Sequence, residues 1–265
     1  MTVVYIKGGG EMVTRSELVD YINTLLNISA FDDYAPNGLQ VEGSNQISKI
    51  IGGVTASQAL IDAALEQKAD AILVHHGFFW KGEDVRVVGM KHRRLKSLLM
   101  ADMNMLAYHL PLDAHHQLGN NAQLARLLKI DVQGSFGGAG TGATALAMHG
   151  CLRKPIAGAV FHQQLTAALQ RTPLHIAVND KPLQHIAWCT GAAQSYFEAA
   201  VALGVDAFIT GEISEQTTHI ARESGVDFFA AGHHATERYG VLALGKDLAD
   251  HFGLDFSFID IDNPV

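Results

Sequence analysis

A gapless internal match narrows the folds open to this chain more than any other feature: residues 55–76 align on residues 191–212 at an offset of 136. Ala56/Ala192, Gln58/Gln194, Ala63/Ala199, Ala64/Ala200, Asp70/Asp206 and Ala71/Ala207 are identities, and Asp62/Glu198, Leu65/Val201 and Leu73/Ile209 are similar. Each copy reads as an apolar β-branched run, a stretch of helical period and a second apolar run, which is the pattern of one β-α-β unit. After about a dozen extra residues in the first copy the register resumes at an offset of 124, superposing His109 on His233 and Asp113 on Glu237. Two similar α/β lobes related by an internal repeat are therefore expected, with the two His-x-x-x-carboxylate motifs facing each other across one cleft.

The rest of the chain continues this alternation. Strands are predicted at 50–54, 71–74, 105–108, 185–189, 207–210, 228–231 and 256–261, and helices at 57–67 and 192–203, the arrangement of an α/β protein with short connections. Residues 1–11, with Gly8-Gly9-Gly10, are expected to form a disordered leader outside the fold. The first lobe is predicted to take residues 12–130 and 235–265, and the second 131–234. Residues 134–142 read as a flexible glycine-rich loop, and without a terminal Gly-Lys-Ser/Thr they are not a P-loop.

The chain holds 14 histidines, and seven lie in His75-His76, His109, His115-His116 and His233-His234. Neutral imidazoles favour borderline transition metals, and carboxylates can bridge two ions, so a mixed set fits zinc, manganese, iron, cobalt or nickel better than calcium or magnesium. The candidate ligands are His75, His76, Asp113, His233 and Glu237, at the carboxyl ends of predicted strands where open α/β sheets place their sites. Because neighbouring strand residues point to opposite faces, His75 and His76 are assigned to different ions. One ion would take His75 and Asp113, the other His76 and His233, with Glu237 bridging both across a shared water able to supply hydroxide near neutral pH. His109 reads as a ligand neighbour or an acid/base group. Glu212, at the repeat position of His76, reads as a proton acceptor or as a hydrogen-bond partner for a ligand histidine.

Other features bound the function. The net charge of −8 argues against a general nucleic-acid binder. No apolar run reaches the ~18 residues of a membrane helix and no signal peptide is visible, so a cytoplasmic, membrane-free protein is expected. Cys151 and Cys189 show no C-x-x-C spacing and read as spectator thiols. A basic cluster in the first-copy insertion, Lys81, Arg86, Lys91, Arg93, Arg94 and Lys96, could hold substrate phosphates or form the solvated face of a helix.

Several motifs carry a resemblance: Tyr34-Ala-Pro-Asn-Gly-Leu-Gln-Val41, Val74-His-His-Gly-Phe-Phe-Trp80, His109-Leu-Pro-Leu-Asp113, Gly119-Asn-Asn-Ala122, Ile209-Thr-Gly-Glu212 and Ala231-Gly-His-His-Ala-Thr-Glu237. From Arg15 onward the chain resembles the NIF-three-like family, the GTP cyclohydrolase type 2 homologues, and within it the bacterial YbgI branch. The resemblance implies a two-lobed α/β subunit, a dinuclear metal centre on His75, His76, Asp113, His233 and Glu237, and a toroidal homohexamer. It also implies a metal-dependent hydrolase opening the guanine imidazole ring of GTP, with formate release. A non-catalytic role in metal handling, regulation or assembly is the alternative.

Overall fold

The computed structural model describes residues 2–137 and 145–265. The chain starts with β1 (Thr2–Ile6), β2 (Val13–Thr14), α1 (Arg15–Leu25), β3 (Gly38–Val41), β4 (Gln46–Ile47), β5 (Lys49–Thr55), α2 (Gln58–Glu66) and β6 (Ala71–His76). It continues with α3 (Gly89–Met100), β7 (Asn104–Ala107), α4 (Leu110–Ala114), α5 (Asn120–Leu128), β8 (Ile130–Phe136), β9 (Ala147–Ile156) and α6 (Gly158–Leu169). Then come β10 (Leu174–Ile176), β11 (Leu183–Trp188), α7 (Phe197–Ala202), β12 (Ala207–Thr210), α8 (Glu215–Ser224), β13 (Asp227–Ala230), α9 (His233–Phe252) and β14 (Asp255–Asp260).

The chain forms two compact units, one of residues up to Leu112 with Gly240–Asp262 and one of Asp113–Tyr239 with Asn263–Val265. The division thus falls at Leu112/Asp113 and Tyr239/Gly240, not at 130 and 235. The cause is α5: Ala122, Leu124, Ala125 and Leu128 bury their side chains with Trp188, Phe161 and Phe229 of the second unit.

The first unit is a six-stranded sheet in the order β1-β14-β5-β6-β7-β3. β14, β5, β6 and β7 run parallel, and β1 and β3 close the edges antiparallel. Parallel strands are covered on both faces, which is why Ile50, Ile51, Ala71, Ile72, Leu73 and Val74 are buried as continuous runs. The helices start on built caps. Thr14 and Glu17 form a capping box on α1, and Ser57 Oγ accepts from the Leu60 amide at the start of α2. Residues 2–6 of the expected disordered leader form a strand. Thr-Val-Val-Tyr-Ile is β-branched and aromatic, and it pairs residue for residue with β14, Thr2 opposite Asp260 to Ile6 opposite Phe256.

The second unit is a six-stranded sheet in the order β10-β13-β12-β11-β9-β8, with β11, β12 and β13 parallel. Phe161, Trp188 and Phe229 fill one apolar cluster, and Phe197, Phe208 and Phe228 another. Two local expectations are corrected here. Only Phe197–Ala202 of the predicted 192–203 helix is α-helical, with a single 3-10 turn before it. Gly134 and Ser135 of the glycine-rich stretch belong to β8, paired with His149 and Met148. Residues 138–142 of that stretch lie outside the described residues. Among the described residues, no helix is long and apolar enough to cross a membrane.

Candidate metal centre

β6 runs on through both members of the histidine pair, where a strand of 71–74 was expected. His75 is fully buried, and its Nδ1 donates to the Tyr108 carbonyl at 2.9 Å. The His76 Nδ1 meets the Thr55 hydroxyl at 3.2 Å. Although adjacent on a strand, the two rings lie with centroids 4.6 Å apart. His109, just beyond β7, lies with its ring centroid 5.1 Å from that of His75 and 5.7 Å from that of His76. Each of the three offers a donor atom within 4.8 Å of the others. His109 thus lies within donor range of both histidines of the pair.

Asp33 is the group that sequence reasoning missed. Its Oδ1 accepts from His109 Nδ1 at 2.9 Å, and its Oδ2 accepts from the Leu110 amide and from Asn37 Nδ2. Asn37 completes the clamp by accepting the His109 amide at 2.7 Å. Burial alone would raise the Asp33 carboxyl, but the bonds from His109, Asn37 and Leu110 outweigh it and hold the pKa at about 2. The available signal was its position, immediately before the Tyr34-Ala-Pro-Asn37 motif.

The second unit holds the carboxylates. Asp113, in α4, is buried, and its Oδ1 accepts from Asn120 Nδ2 at 2.8 Å and from the Thr190 hydroxyl at 3.2 Å. Glu237, in the first turns of α9, is buried beside His233, whose Nε2 lies 3.1 Å from Glu237 Oε2. Asp113 and Glu237 both act on the thiol of Cys189. Its own burial pushes the thiol well up, and the two carboxylates push it further. Glu212 hydrogen-bonds His233, which donates from Nδ1 to Glu212 Oε1 at 2.7 Å. Burial opposes the His233 imidazolium, yet Glu237 and Glu212 together lift its pKa to about 9.

Gly191 makes this packing possible. Its φ of +72° lies in the left-handed region, and a Cβ there would overlap Glu237 Oε1 and stand 3.3 Å from His233 Nε2.

The donor chemistry fits a divalent transition metal. His75, His109 and His233 each turn Nδ1 toward an oxygen, which fixes the ring and leaves Nε2 as the nitrogen for a metal; at His233 the metal would displace the proton that Glu237 and Glu212 favour. Within the second unit, His233 and the buried carboxylate of Glu237 form a mixed nitrogen and oxygen pair. His115 does different work: its Nδ1 accepts from the Gln117 and Leu118 amides, closing a local turn. Two of the insertion's cations are engaged by the insertion itself. Arg86 pairs with Asp84 at 2.6 Å, and Lys91 lies 3.4 Å from Glu83 and over the Phe79 ring.

Comparison with known proteins places these residues in a wider group. Residues 13–264 match the model of the family described as Duf34/NIF3 (NGG1p interacting factor 3). A Yersinia pestis protein named GTP cyclohydrolase 1 type 2 homolog is 55% identical over 94% of this chain and 98% of its own length. A Vibrio cholerae protein of the same name is 53% identical over 94% of this chain and 98% of that protein. Among solved structures, protein ybgI, described as of unknown function, superposes with a TM-score of 0.91 at 52% identity, over 96% of this chain and all of that one. TTHA1606 from Thermus thermophilus superposes with a TM-score of 0.82 at 32% identity, covering 96% and 100%.

Proposed function

This chain belongs to the Duf34/NIF3 family, and from that premise we propose that it binds two divalent metal ions through His75, His76, Asp113, His233 and Glu237 and hydrolyses a small nucleotide-like anion there. The observation that carries the reading is the cluster of His75, His76 and His109, three imidazoles with donor atoms within 4.8 Å of one another. Three imidazoles with donor atoms that close are a ready ligand set for a transition-metal cation. Chain connectivity supports adding the carboxylates, because Asp113 follows His109 by a single helical turn. The parallel β5-α2-β6 and β11-α7-β12 units are consistent with a repeat that brings equivalent strand ends to one centre.

The ions would supply Lewis acidity and lower the pKa of water toward neutrality. The chain's own groups then have distinct tasks. Glu212 orients His233 through its Nδ1 proton. Asp33 does the same for His109, whose Nε2 can accept a proton from water and return it to a leaving group. Asp113 is held by Asn120 and Thr190 so that it cannot swing away. The name borne by the relatives makes GTP the first substrate to try, and the family resemblance makes a homohexamer the expected assembly.

The test is elemental analysis of the untagged protein, followed by incubation of reconstituted forms with GTP and a nucleotide panel, scoring formate and ring-opened product. Two ions per subunit with metal-dependent product, lost in Asp113→Ala and Glu237→Ala variants that still assemble, are expected. Two ions with no turnover would move the assignment to metal handling, and absence of bound metal would overturn it.

A further inference from the structure

The second unit contains a cavity of about 450 Å³ whose lining includes Arg171, Thr172, Leu174, Gly211, Glu212 and Ile213. Arg171 follows the end of α6, and its Nε is buried with no hydrogen-bond partner. A half-buried guanidinium left so is costly, because a buried donor without an acceptor loses its hydration and regains nothing. The surroundings are shaped around it nonetheless. Gly232 has a φ of +100°, and a Cβ there would overlap the Arg171 Nε and Cδ, so the absence of a side chain at 232 lets the guanidinium lie where it does. Two residues of the lining are fixed as well: the Gly211 carbonyl accepts from the Gly232 amide at 2.9 Å, and a main-chain oxygen of Val265 accepts from the His234 amide at 3.0 Å.

Glu212 lines the same cavity, yet no ion pair joins it to Arg171 among the described residues. One Glu212 oxygen is taken by His233 Nδ1, so the carboxylate keeps a second oxygen for another donor. Cation and carboxylate thus stand apart in one cavity, each with capacity left. A molecule that meets both carries an oxyanion for the fork of Arg171 and, elsewhere in its skeleton, a hydroxyl or amine that donates to Glu212. The cations of the insertion do not compete for this task at Arg86 and Lys91, which are engaged by Asp84 and Glu83.

We propose that this cavity is a subsite for the oxyanion of a small organic molecule, a phosphate ester or a carboxylate, with Arg171 as its anchor and Glu212 as the link to His233. The assignment rests on the anionic-substrate reading above, which it deepens by naming the group that holds the anion. It also makes Glu212 a two-sided residue: one oxygen positions a histidine of the metal centre, and the other reads the occupant of the cavity.

The experiment is a calorimetric titration of the purified full-length protein with inorganic phosphate and, separately, acetate, before and after chelator treatment. Wild type, Arg171→Gln and Arg171→Lys are compared, with metal content measured on every preparation. Loss of a charge-assisted bidentate contact predicts about tenfold weaker phosphate binding in Arg171→Gln and an intermediate loss in Arg171→Lys, at unchanged metal content. Binding of phosphate alone would assign a phosphate ester, and comparable binding of acetate a carboxylate. Equal phosphate affinity in wild type and Arg171→Gln would overturn the proposal, as would binding that disappears on chelation, because the anion would then be sitting on the metals. A protein that carries no metal but shows the Arg171-dependent binding would refute the metal-centre reading and leave the subsite standing.

Discussion

Replacing Gly191 by alanine isolates the placement of Glu237, because a second glycine supplies the control. Gly191 and Gly204 share a φ of +72°, so alanine at either position meets the same left-handed backbone. That conformation costs an L-residue roughly 1–2 kcal/mol, partly offset by about 0.5–1 kcal/mol from the stiffer unfolded chain. At Gly204 no atom lies within 4 Å of the new Cβ, so the backbone term is the whole effect. A net loss of about 1 kcal/mol corresponds to a Tm lower by about 2–4 °C in a chain of this size. At Gly191 the same methyl overlaps Glu237 Oε1 and stands 3.3 Å from His233 Nε2. The Glu237 carboxylate is only 2% exposed and has little room to retreat, so it must leave the position it shares with His233. The expected result is a Gly204→Ala protein with the metal content of the wild type and a slightly lower Tm. Gly191→Ala should fold, show a larger drop in Tm and bind metal at least tenfold more weakly. Differential scanning calorimetry of metal-free samples and competition with a chromophoric chelator measure the two quantities. Metal affinity in Gly191→Ala equal to that in Gly204→Ala would refute the placement of Glu237 as a ligand.

Three further outcomes are expected. The Asp33 carboxyl falls from an ordinary 3.8 to about 2 in the folded protein. Its stabilising contribution is therefore present above pH ~4 and is lost as pH falls toward 2, on the order of 2 kcal/mol in all. Urea midpoints measured between pH 5 and 2 should fall less steeply in Asp33→Asn than in wild type, and parallel profiles would discount the His109–Asp33 pair. His233, raised from 6.5 to about 9, has the opposite sign: its contribution to the metal-free protein is complete below pH 6.5 and is lost as pH rises through 9. NMR titration of Glu212→Gln should show the His233 pKa moving down, with weaker metal binding, and an unmoved pKa would remove Glu212 from its orienting role. Thr190→Val should leave Asp113 its bond from Asn120 and weaken metal binding only modestly, while Asn120→Leu, removing the shorter 2.8 Å bond, should weaken it more; the reverse order in a competition assay would contradict this ranking.

The residues visible in advance were those whose side-chain type is itself the signal. His75, His76, His109, His233 and Glu237 stand out because imidazoles and carboxylates recur at related positions after apolar runs, and the strands that carry them are continuous β-branched stretches. The groups that fix those side chains were much less visible. Asp33 lies 76 residues from His109, in a segment with no regular period, and one carboxylate among many has no mark of its own. Tyr108 acts on His75 through its backbone carbonyl, which every residue possesses. Gly191 and Gly232 each read as ordinary turn glycines until the neighbouring Glu237 and Arg171 are in place. The division at Leu112 escaped notice for a similar reason. The helical pattern of Asn120–Leu128 states which face is apolar, but not which sheet covers it.

The four candidate imidazoles differ in what backs them, and that difference bears on how labour is divided. His75 donates Nδ1 to a neutral carbonyl and His76 meets a neutral hydroxyl, whereas His109 and His233 face the carboxylates Asp33 and Glu212. A carboxylate behind an imidazole raises the basicity of the opposite nitrogen more than a neutral oxygen does. Burial opposes the His233 imidazolium, but Glu237 and Glu212 together raise its pKa to about 9, whereas His75 and His76 are fixed by neutral oxygens. His109 and His233, the two backed by a carboxylate, are the histidines of the two His-x-x-x-carboxylate stretches. The second nitrogen of His233 faces Glu237 at 3.1 Å, whereas Asp33 fixes His109 through Nδ1 and, under the proposed hydrolase reading, leaves its Nε2 to move a proton.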